Sequence, residues 1–117
     1  MKHFKYALHG LLAALRTEKN LRFHLVSAIV VSAAGIFFKI EAVEWIFVAF
    51  CISSVITAEL FNTAIEKVCD VFTKEQHTQI KFIKDVSAAA VFITAAGAAV
   101  TGFVIFTPRL ITLIQNI

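Results

Sequence analysis

VSAAAVFITAAGAAVTGFVIFT, residues 86–107, is a run of 22 residues without a charged side chain. As an α-helix it would be about 33 Å long, and the hydrocarbon core of a bilayer is roughly 30 Å thick. The stretch therefore predicts a helix that crosses a membrane.

Two shorter apolar runs precede it, at residues 25–38 and 45–58. The first is extended by His24 on one side and by Lys39 on the other, whose amine can reach the interface while its stem stays in the apolar layer. The second keeps its helical pattern past Glu59 to about Val71. Hydrophobic residues make up 59% of the chain and charged residues 16%, whereas soluble domains contain about 25% charged residues. We therefore expect one all-α integral membrane domain over residues 1–117, with three transmembrane helices at 24–40, 45–71 and 84–107.

Residues 1–22 form an amphipathic segment ahead of the first span. Its apolar residues recur with the spacing of one helix face, at Phe4, Leu8, Leu11, Leu12 and Leu15. Lysines on the other faces suit a surface helix that lies in the headgroup layer beside anionic lipid. The alternative is a simple anchor that takes no part in chemistry.

The basic residues are divided unevenly between the two sides of the predicted spans. Lys39 and Arg109 lie on one side. The other nine lie opposite them: Lys2, Lys5, Arg16, Lys19, Arg22, Lys67, Lys74, Lys81 and Lys84. Because cytoplasmic loops are enriched in Lys and Arg, we expect a multi-pass protein of the cell membrane with a cytoplasmic N-terminus. The net charge of +3 does not predict a nucleic-acid partner, since the basic residues flank apolar segments.

A polar stripe interrupts the second span. Glu59, Asn62, Glu66 and Asp70 are spaced i, i+3, i+7 and i+11, so they share one face of a helix. Ionisable side chains at membrane depth are costly and usually mark a functional site. For Glu59, the alternative is a carboxylate that only packs against a neighbouring subunit.

The position of the stripe along the span suggests two roles. If Trp45 is an anchor at the outer interface, Glu59 lies about 21 Å further along the helix, just inside the apolar layer, and Glu66 reaches the cytoplasmic interface. Glu59 is then placed to act as a general base on a hydroxyl just below the membrane surface. A carboxylate at the position of Glu66 suits Mg²⁺, which commonly accompanies nucleotide phosphates. Asn62, between them, is placed to position both.

Three further charged residues fall on the same side of the membrane. Lys84 and Asp85 precede the third span, where a lysine can neutralise phosphate oxygens and an aspartate can orient it; the alternative is a solvated helix end. Glu18 is a second candidate metal ligand, although composition alone makes it a surface residue. The chain contains no glycine-rich phosphate loop and no protein-kinase motif. A nucleotide would therefore be held through carboxylate-bound Mg²⁺ and lysine side chains.

The order of these motifs resembles that of a known family. ELFNTAIE at residues 59–66 with Asp70, followed by KD at 84–85 and AAAV at 88–91, is similar to the signature of the prokaryotic diacylglycerol kinases, which include the undecaprenol kinases. The resemblance extends from about residue 6 to residue 106. It implies a kinase that transfers the γ-phosphate of ATP to a lipid hydroxyl. It also implies a homotrimer of three-span subunits, each with a preceding surface helix, and active sites shared between neighbouring subunits.

The resemblance further implies a role for each matching residue. Glu59 would be the catalytic base, and Glu18 and Glu66 would hold the Mg²⁺ of the nucleotide. Besides these two ligands, the ATP site would include Tyr6, Asn62, Glu75, Gln76, His77, Lys84 and Asp85.

The segment EKNLRFH, residues 18–24, concerns the lipid acceptor. It resembles the N-x-[RK]-x-H form of the undecaprenol kinases, whereas a carboxylate is more usual in place of His24 among the diacylglycerol kinases. We therefore expect undecaprenol as the acceptor, with diacylglycerol as the alternative. A role for His24 as an interfacial residue alone is the other interpretation.

Two functions of other classes are open from the residues alone. In a small ion-coupled transporter, Glu59 would bind a cation and a proton in turn, and an interaction subunit would carry out no catalysis. A transporter needs a carboxylate that is reachable from both sides of the membrane, yet the other charges of the stripe lie toward one side. An interaction subunit needs no polar stripe. Both considerations favour the kinase.

Overall fold

The computed structural model describes residues 1–72 and 77–117. These residues form four α-helices: α1 at Lys2–Thr17, α2 at Lys19–Phe38, α3 at Ala42–Phe72 and α4 at Thr78–Gln115. The predicted all-α fold is confirmed. In the described ranges, α2, α3 and α4 are each long and apolar enough to cross a membrane, as the three predicted spans require.

A sharp break at Glu18 separates α1 from α2. Glu18 has an extended backbone, with φ −108° and ψ 110°, and α2 begins at the next residue. Arg22 stabilises the break, because its Nη1 donates to the main-chain oxygens of Leu15 at 2.8 Å and Arg16 at 3.0 Å, which are among the last carbonyls of α1. The first helix thus ends at Thr17, before the end of the predicted surface segment at residue 22, and α2 begins ahead of the predicted first span.

A tight turn joins α2 to α3. Lys39 has a left-handed backbone conformation, with φ 53°, and the main-chain N–H of Ile40 donates to the oxygen of Gly35 at 3.1 Å. Gly35 lies against the ring of Trp45, since a Cβ at this position would come within 2.7 Å of Trp45 Cη2. The glycine therefore allows α2 to approach the first turn of α3 closely.

Helix α3 packs against both α2 and α4, most extensively against α4. At the end of the bundle where α2 joins α3, Ile40, Val48 and Ile105 form a buried hydrophobic cluster. Helix α4 is 38 residues long and continues through Pro108 to Gln115, beyond residue 107, where the predicted third span ends. Proline removes one N–H donor from the preceding turn, and here the helix continues on either side of it.

Many large apolar side chains of the three long helices are exposed in the single chain. Phe50, Phe92 and Phe103 each have more than two thirds of their surface exposed. Surfaces of this kind suit contact with lipid or with another membrane helix, because bilayer hydrocarbon is itself apolar.

Candidate active site

The polar stripe of α3 runs from the interior of the bundle to its surface. Glu59 and Asn62 are buried, with 2% and 7% of their surface exposed, whereas Glu66 is half-buried and Asp70 is exposed. Burial therefore decreases along one helix face toward the C-terminal end of α3. Glu59 is the deepest carboxylate of the stripe.

His24 on α2 faces Glu59 on α3. Its Nε2 lies 3.7 Å from Glu59 Oε2, and only 16% of the His24 side chain and 3% of the Glu59 side chain are exposed. Leu21, one turn earlier on α2, is fully buried and anchors this part of the helix. From the sequence, His24 is expected either to indicate which lipid is the acceptor or to be only an interfacial residue. This expectation missed the contact with Glu59, because helical spacing does not relate residues on different helices.

Asn62 supports Glu66 from the previous turn of α3. Its Nδ2 donates to Glu66 Oε1 at 3.2 Å. The Oδ1 of Asn62 is buried, and it has no hydrogen-bond partner within the part of the chain that the structure describes. Because a buried polar atom without a partner is costly, this oxygen is suited to contact a ligand.

Glu18 joins the site from a different part of the chain. The break between α1 and α2 places it near enough to Glu59 for the two carboxylates to interact electrostatically, and Glu66 interacts with Glu59 in the same way. Composition alone made Glu18 a surface residue, but it is half-buried in the structure. Since α1 contacts both α2 and α3, Glu18 and Glu66 both lie within electrostatic range of Glu59.

The site offers oxygen ligands for a metal ion without forming a closed cage. Among residues 1–72 and 77–117, no three His, Cys, Asp or Glu side chains are grouped closely enough to hold a metal by themselves. The Mg²⁺ that accompanies a nucleotide is usually bound by one or two carboxylates, with phosphates and water completing its shell. Glu18, Glu66 and the unpartnered oxygen of Asn62 fit that mode of binding, because all three supply hard oxygen atoms.

Lys84 connects α4 to the exposed end of the stripe. Its Nζ lies 2.9 Å from Asp70 Oδ1, so the pair joins the end of α3 to the start of α4. Asp85 instead bonds to Lys81, one turn earlier on α4. The sequence suggested that Asp85 orients Lys84, whereas the aspartate that contacts Lys84 is Asp70 of the neighbouring helix.

The other predicted nucleotide residues lie on the surface or outside the described ranges. Tyr6 is exposed on α1. His77 is exposed at the start of α4, where its Nδ1 accepts from the main-chain N–H of Gln79 at 3.1 Å and so caps the helix. Glu75 and Gln76 lie outside the described residues, and their role stays a prediction.

An apolar groove with a volume of about 350 Å³ begins at His24 and runs along the bundle. Its walls come from residues 23–31 of α2, 48–56 of α3 and 95–106 of α4. Val48 and Ile105 line the other end and form a buried cluster with Ile40. The volume is within the range of small-molecule pockets. The groove can hold a hydrocarbon chain whose polar end lies next to Glu59.

A second recess, of about 600 Å³, lies on a different face of α3 and α4. Its lining includes Ser53, Thr57, Asn62 and Ser87. Small and hydroxyl-bearing side chains are typical of surfaces on which membrane helices pack together. This recess is therefore suited to a helix of a neighbouring subunit.

Known proteins are similar to this chain over most of its length. The family model for prokaryotic diacylglycerol kinase matches residues 5–106. The undecaprenol kinase of Bacillus subtilis (strain 168) is 35% identical over 109 residues, which cover 93% of this chain and 89% of the relative. The diacylglycerol kinase of Synechocystis sp. is 32% identical over 111 residues, which cover 94% of this chain and 63% of the relative. The diacylglycerol kinase of Pseudomonas aeruginosa is 32% identical over 97 residues, which cover 82% of this chain and 78% of the relative.

The family match includes the polar stripe of α3, the Lys84–Asp85 pair and Glu18. The relatives are named as kinases of two different lipids, and they give no support to an ion-coupled transporter. The extent of these matches shows that the chain belongs to the prokaryotic diacylglycerol kinase family and is a lipid kinase.

Proposed function

We propose that the protein transfers the γ-phosphate of ATP to the hydroxyl of undecaprenol at the cytoplasmic face of the cell membrane. The observation that carries the proposal is the contact of Glu59, a buried carboxylate, with His24, which lines one end of an apolar groove. A lipid alcohol in this groove would extend its chain between α2, α3 and α4. Its hydroxyl would then lie next to Glu59.

In this proposal, Glu59 accepts the proton of the lipid hydroxyl while the hydroxyl oxygen attacks the γ-phosphorus of ATP. A bond forms between the lipid oxygen and this phosphorus. The bond from the phosphorus to the β–γ bridging oxygen breaks, and ADP leaves with the electron pair. Glu59 later releases its proton to solvent. The burial of Glu59 limits the access of water, which would otherwise compete with the lipid for the phosphate.

The nucleotide is proposed to bind where Glu18, Asn62 and Glu66 meet. When bound with ATP, Mg²⁺ would supply positive charge that balances the phosphates. The two carboxylates and the unpartnered amide oxygen are the groups that would hold it. Lys84, beside Asp70, is placed to neutralise phosphate oxygens from α4. The remaining members of the proposed ATP site, which rest on the family resemblance, are Tyr6, Glu75, Gln76, His77 and Asp85.

Two observations favour undecaprenol as the acceptor. The match to the undecaprenol kinase of Bacillus subtilis covers 89% of that protein, against 63% and 78% for the diacylglycerol kinases of Synechocystis sp. and Pseudomonas aeruginosa. In addition, the resemblance of residues 18–24 to the undecaprenol kinases includes His24, which contacts Glu59 at one end of the groove. Diacylglycerol is the alternative acceptor, since three of the relatives are named as its kinases.

The arrangement in the membrane is part of the proposal. Phe4 and Leu8 are exposed on α1, which supports a surface helix with its apolar side in the lipid. Nine of the 11 basic residues lie on one side of the spans, which supports a cytoplasmic N-terminus. The exposed apolar faces and the recess between α3 and α4 support a homotrimer in which a neighbouring subunit completes each site.

The proposal is tested by following phosphate transfer from labelled Mg·ATP with the protein in mild detergent. Undecaprenol and diacylglycerol are offered separately. Glu59→Gln keeps the size of the side chain but removes the base, and we expect transfer to slow by about 10²–10⁴-fold. Glu41→Gln is the matched control, because Glu41 is an exposed carboxylate in the turn just before the same helix, far from Glu59, and it should keep wild-type activity.

Transfer mainly to undecaprenol that is lost in Glu59→Gln and retained in Glu41→Gln supports the whole proposal. A preference for diacylglycerol, lost in Glu59→Gln, supports the role of Glu59 and shows that diacylglycerol, not undecaprenol, is the acceptor. Well-folded wild-type protein that phosphorylates neither lipid contradicts the proposed function.

A further inference from the structure

An ion pair lies at the opposite end of the bundle from Glu59. Arg109 of α4 donates to both carboxylate oxygens of Glu44 in the first turn of α3, from Nη1 to Oε2 at 2.8 Å and from Nη2 to Oε1 at 2.6 Å. Two parallel hydrogen bonds between opposite charges combine strength with a fixed geometry. We call this pair the clip. Arg109 lies beyond residue 106, where the family match ends.

The clip also supports the turns in which its two residues lie. Arg109 Nη1 donates to the main-chain oxygen of Ile105 at 2.7 Å. This contact strengthens the turn around Pro108, which lacks an N–H donor. Glu44 Oε1 accepts from the main-chain N–H of Glu41 at 3.0 Å and so caps the start of α3. The first turn of α3 is thus fixed against α4.

The clip adjoins the end of the apolar groove that lies farther from His24. Ile105, whose carbonyl is held by Arg109, lines the groove, and so does Val48, one turn after Glu44. Both belong to the buried cluster with Ile40. Because the clip links α3 to α4 next to this cluster, it contributes to the separation of the two helices there.

The length of an acceptor decides whether it reaches the clip. On α4 the groove lining extends from Ala95 to Phe106, which is about 16 Å of helix. A short alcohol with its hydroxyl beside Glu59 occupies only the part of the groove near His24. A long prenyl chain extends along the groove as far as Val48 and Ile105 and continues beyond it.

We propose that Glu44 and Arg109 are positioning residues for the long hydrocarbon chain of the lipid acceptor. The inference rests on the proposed function. It adds which residues fix the part of the groove that lies farthest from the reacting hydroxyl. Contacts with a remote part of a substrate help to hold its reacting group in place. Loss of the clip therefore weakens the binding of long acceptors, and short acceptors are unaffected.

The test compares geraniol, a short prenyl alcohol, with undecaprenol, using the full chain in mild detergent. Arg109→Gln removes the charge of the clip. Lys39→Asn is the matched control, because Lys39 is an exposed cation at the same end of the bundle and asparagine tolerates its left-handed backbone. We expect Arg109→Gln to raise KM for undecaprenol about tenfold, as for the loss of a charge-assisted hydrogen bond. KM for geraniol and for Mg·ATP stays unchanged, and Lys39→Asn changes none of the three.

The double variant Glu44→Arg/Arg109→Glu re-forms the pair with exchanged charges and is expected to recover most of the lost affinity for undecaprenol. If Arg109→Gln alone does not fold, the double variant still tests whether the pair is needed for binding undecaprenol. Equal rises in KM for both alcohols, an unchanged KM for undecaprenol, or no recovery in the double variant overturns the inference. Wild-type protein that phosphorylates neither alcohol contradicts the proposed function itself. Wild-type transfer without a chain-length effect in Arg109→Gln contradicts only the role of the clip.

Discussion

His24 Nε2 lies 3.7 Å from Glu59 Oε2, so α2 and α3 meet at the polar end of the apolar groove. In the proposed reaction, this is where the hydroxyl of the lipid approaches the carboxylate that deprotonates it. Ser27, one turn further along α2, also lines the groove, but its hydroxyl donates to the main-chain oxygen of Phe23 at 2.9 Å. The two polar residues of this wall therefore differ, since the hydroxyl of Ser27 is bonded within its own helix and His24 faces Glu59.

Replacing His24 by aspartate is expected to change the choice of acceptor. The substitution places a second carboxylate beside Glu59, as the resemblance suggests for diacylglycerol kinases. We expect the ratio of undecaprenol to diacylglycerol phosphorylation to fall about tenfold, the effect of roughly 1.4 kcal/mol. Both lipids are offered together in mixed micelles and the products are separated. Ser27→Ala serves as the control and keeps the wild-type ratio. An unchanged ratio in His24→Asp would show that His24 does not influence which lipid is phosphorylated.

Replacing Asn62 by alanine is expected to weaken nucleotide binding. Glu66 loses the amide donor at 3.2 Å, and the site loses the unpartnered oxygen of Asn62. Because hydrogen bonds to charged groups contribute about 1.5–3 kcal/mol, KM for Mg·ATP should rise about tenfold or more, while KM for the lipid stays the same. The neighbouring variant Thr63→Val removes a buried hydroxyl that has no hydrogen-bond partner among the described residues, and it should leave both constants unchanged. A rise in KM for the lipid alone would argue against a nucleotide role for Asn62.

The two lysines at the start of α4 are expected to differ in their importance. Lys84 contacts Asp70 of α3, whereas Lys81 forms an exposed pair with Asp85 on its own helix. Lys84→Met should lower kcat about 10²–10³-fold, as does the loss of a group that stabilises developing charge. Lys81→Met should have little effect, because exposed pairs of this spacing contribute only about 0.3–0.5 kcal/mol. Equal losses in the two variants, measured as the rate of phosphate transfer at saturating Mg·ATP, would contradict the assignment.

Gly35 and Gly97 are expected to respond differently to alanine. A Cβ at Gly35 would lie 2.7 Å from Cη2 and 2.9 Å from Cζ2 of Trp45, whose ring packs on the buried cluster and cannot move freely. We expect Gly35→Ala to lower the free energy of unfolding by about 1–3 kcal/mol. No atom of residues 1–72 and 77–117 lies within 4 Å of a Cβ at Gly97, so Gly97→Ala should gain about 0.5–1 kcal/mol from helix propensity. Thermal unfolding in detergent measures both, and a stable Gly35→Ala protein would show that the turn can adapt.

Several boundaries and contacts differ from what the sequence indicated. Residues 1–22 suggested one surface helix, but Arg22 bonds back to the last carbonyls of α1, and the chain turns at Glu18. The uncharged run 86–107 suggested an end to the third span at residue 107, yet α4 continues through Pro108, and Arg109 bonds to Ile105 across the weakened turn. In both places a long side chain reaches another turn of the backbone. The helix propensities of individual residues do not predict such contacts.

By itself the sequence determined the three membrane-crossing helices and the alignment of Glu59, Asn62 and Glu66 on one face. Both follow from the rise and period of the α-helix and from the thickness of a bilayer, which are the same for every chain. Only the tertiary structure decided that His24 meets Glu59 and that Glu44 meets Arg109. Contacts between helices depend on how far each helix is rotated about its own axis and on how its side chains interlock with those of its neighbour. Spacing along a single helix carries no information about either quantity.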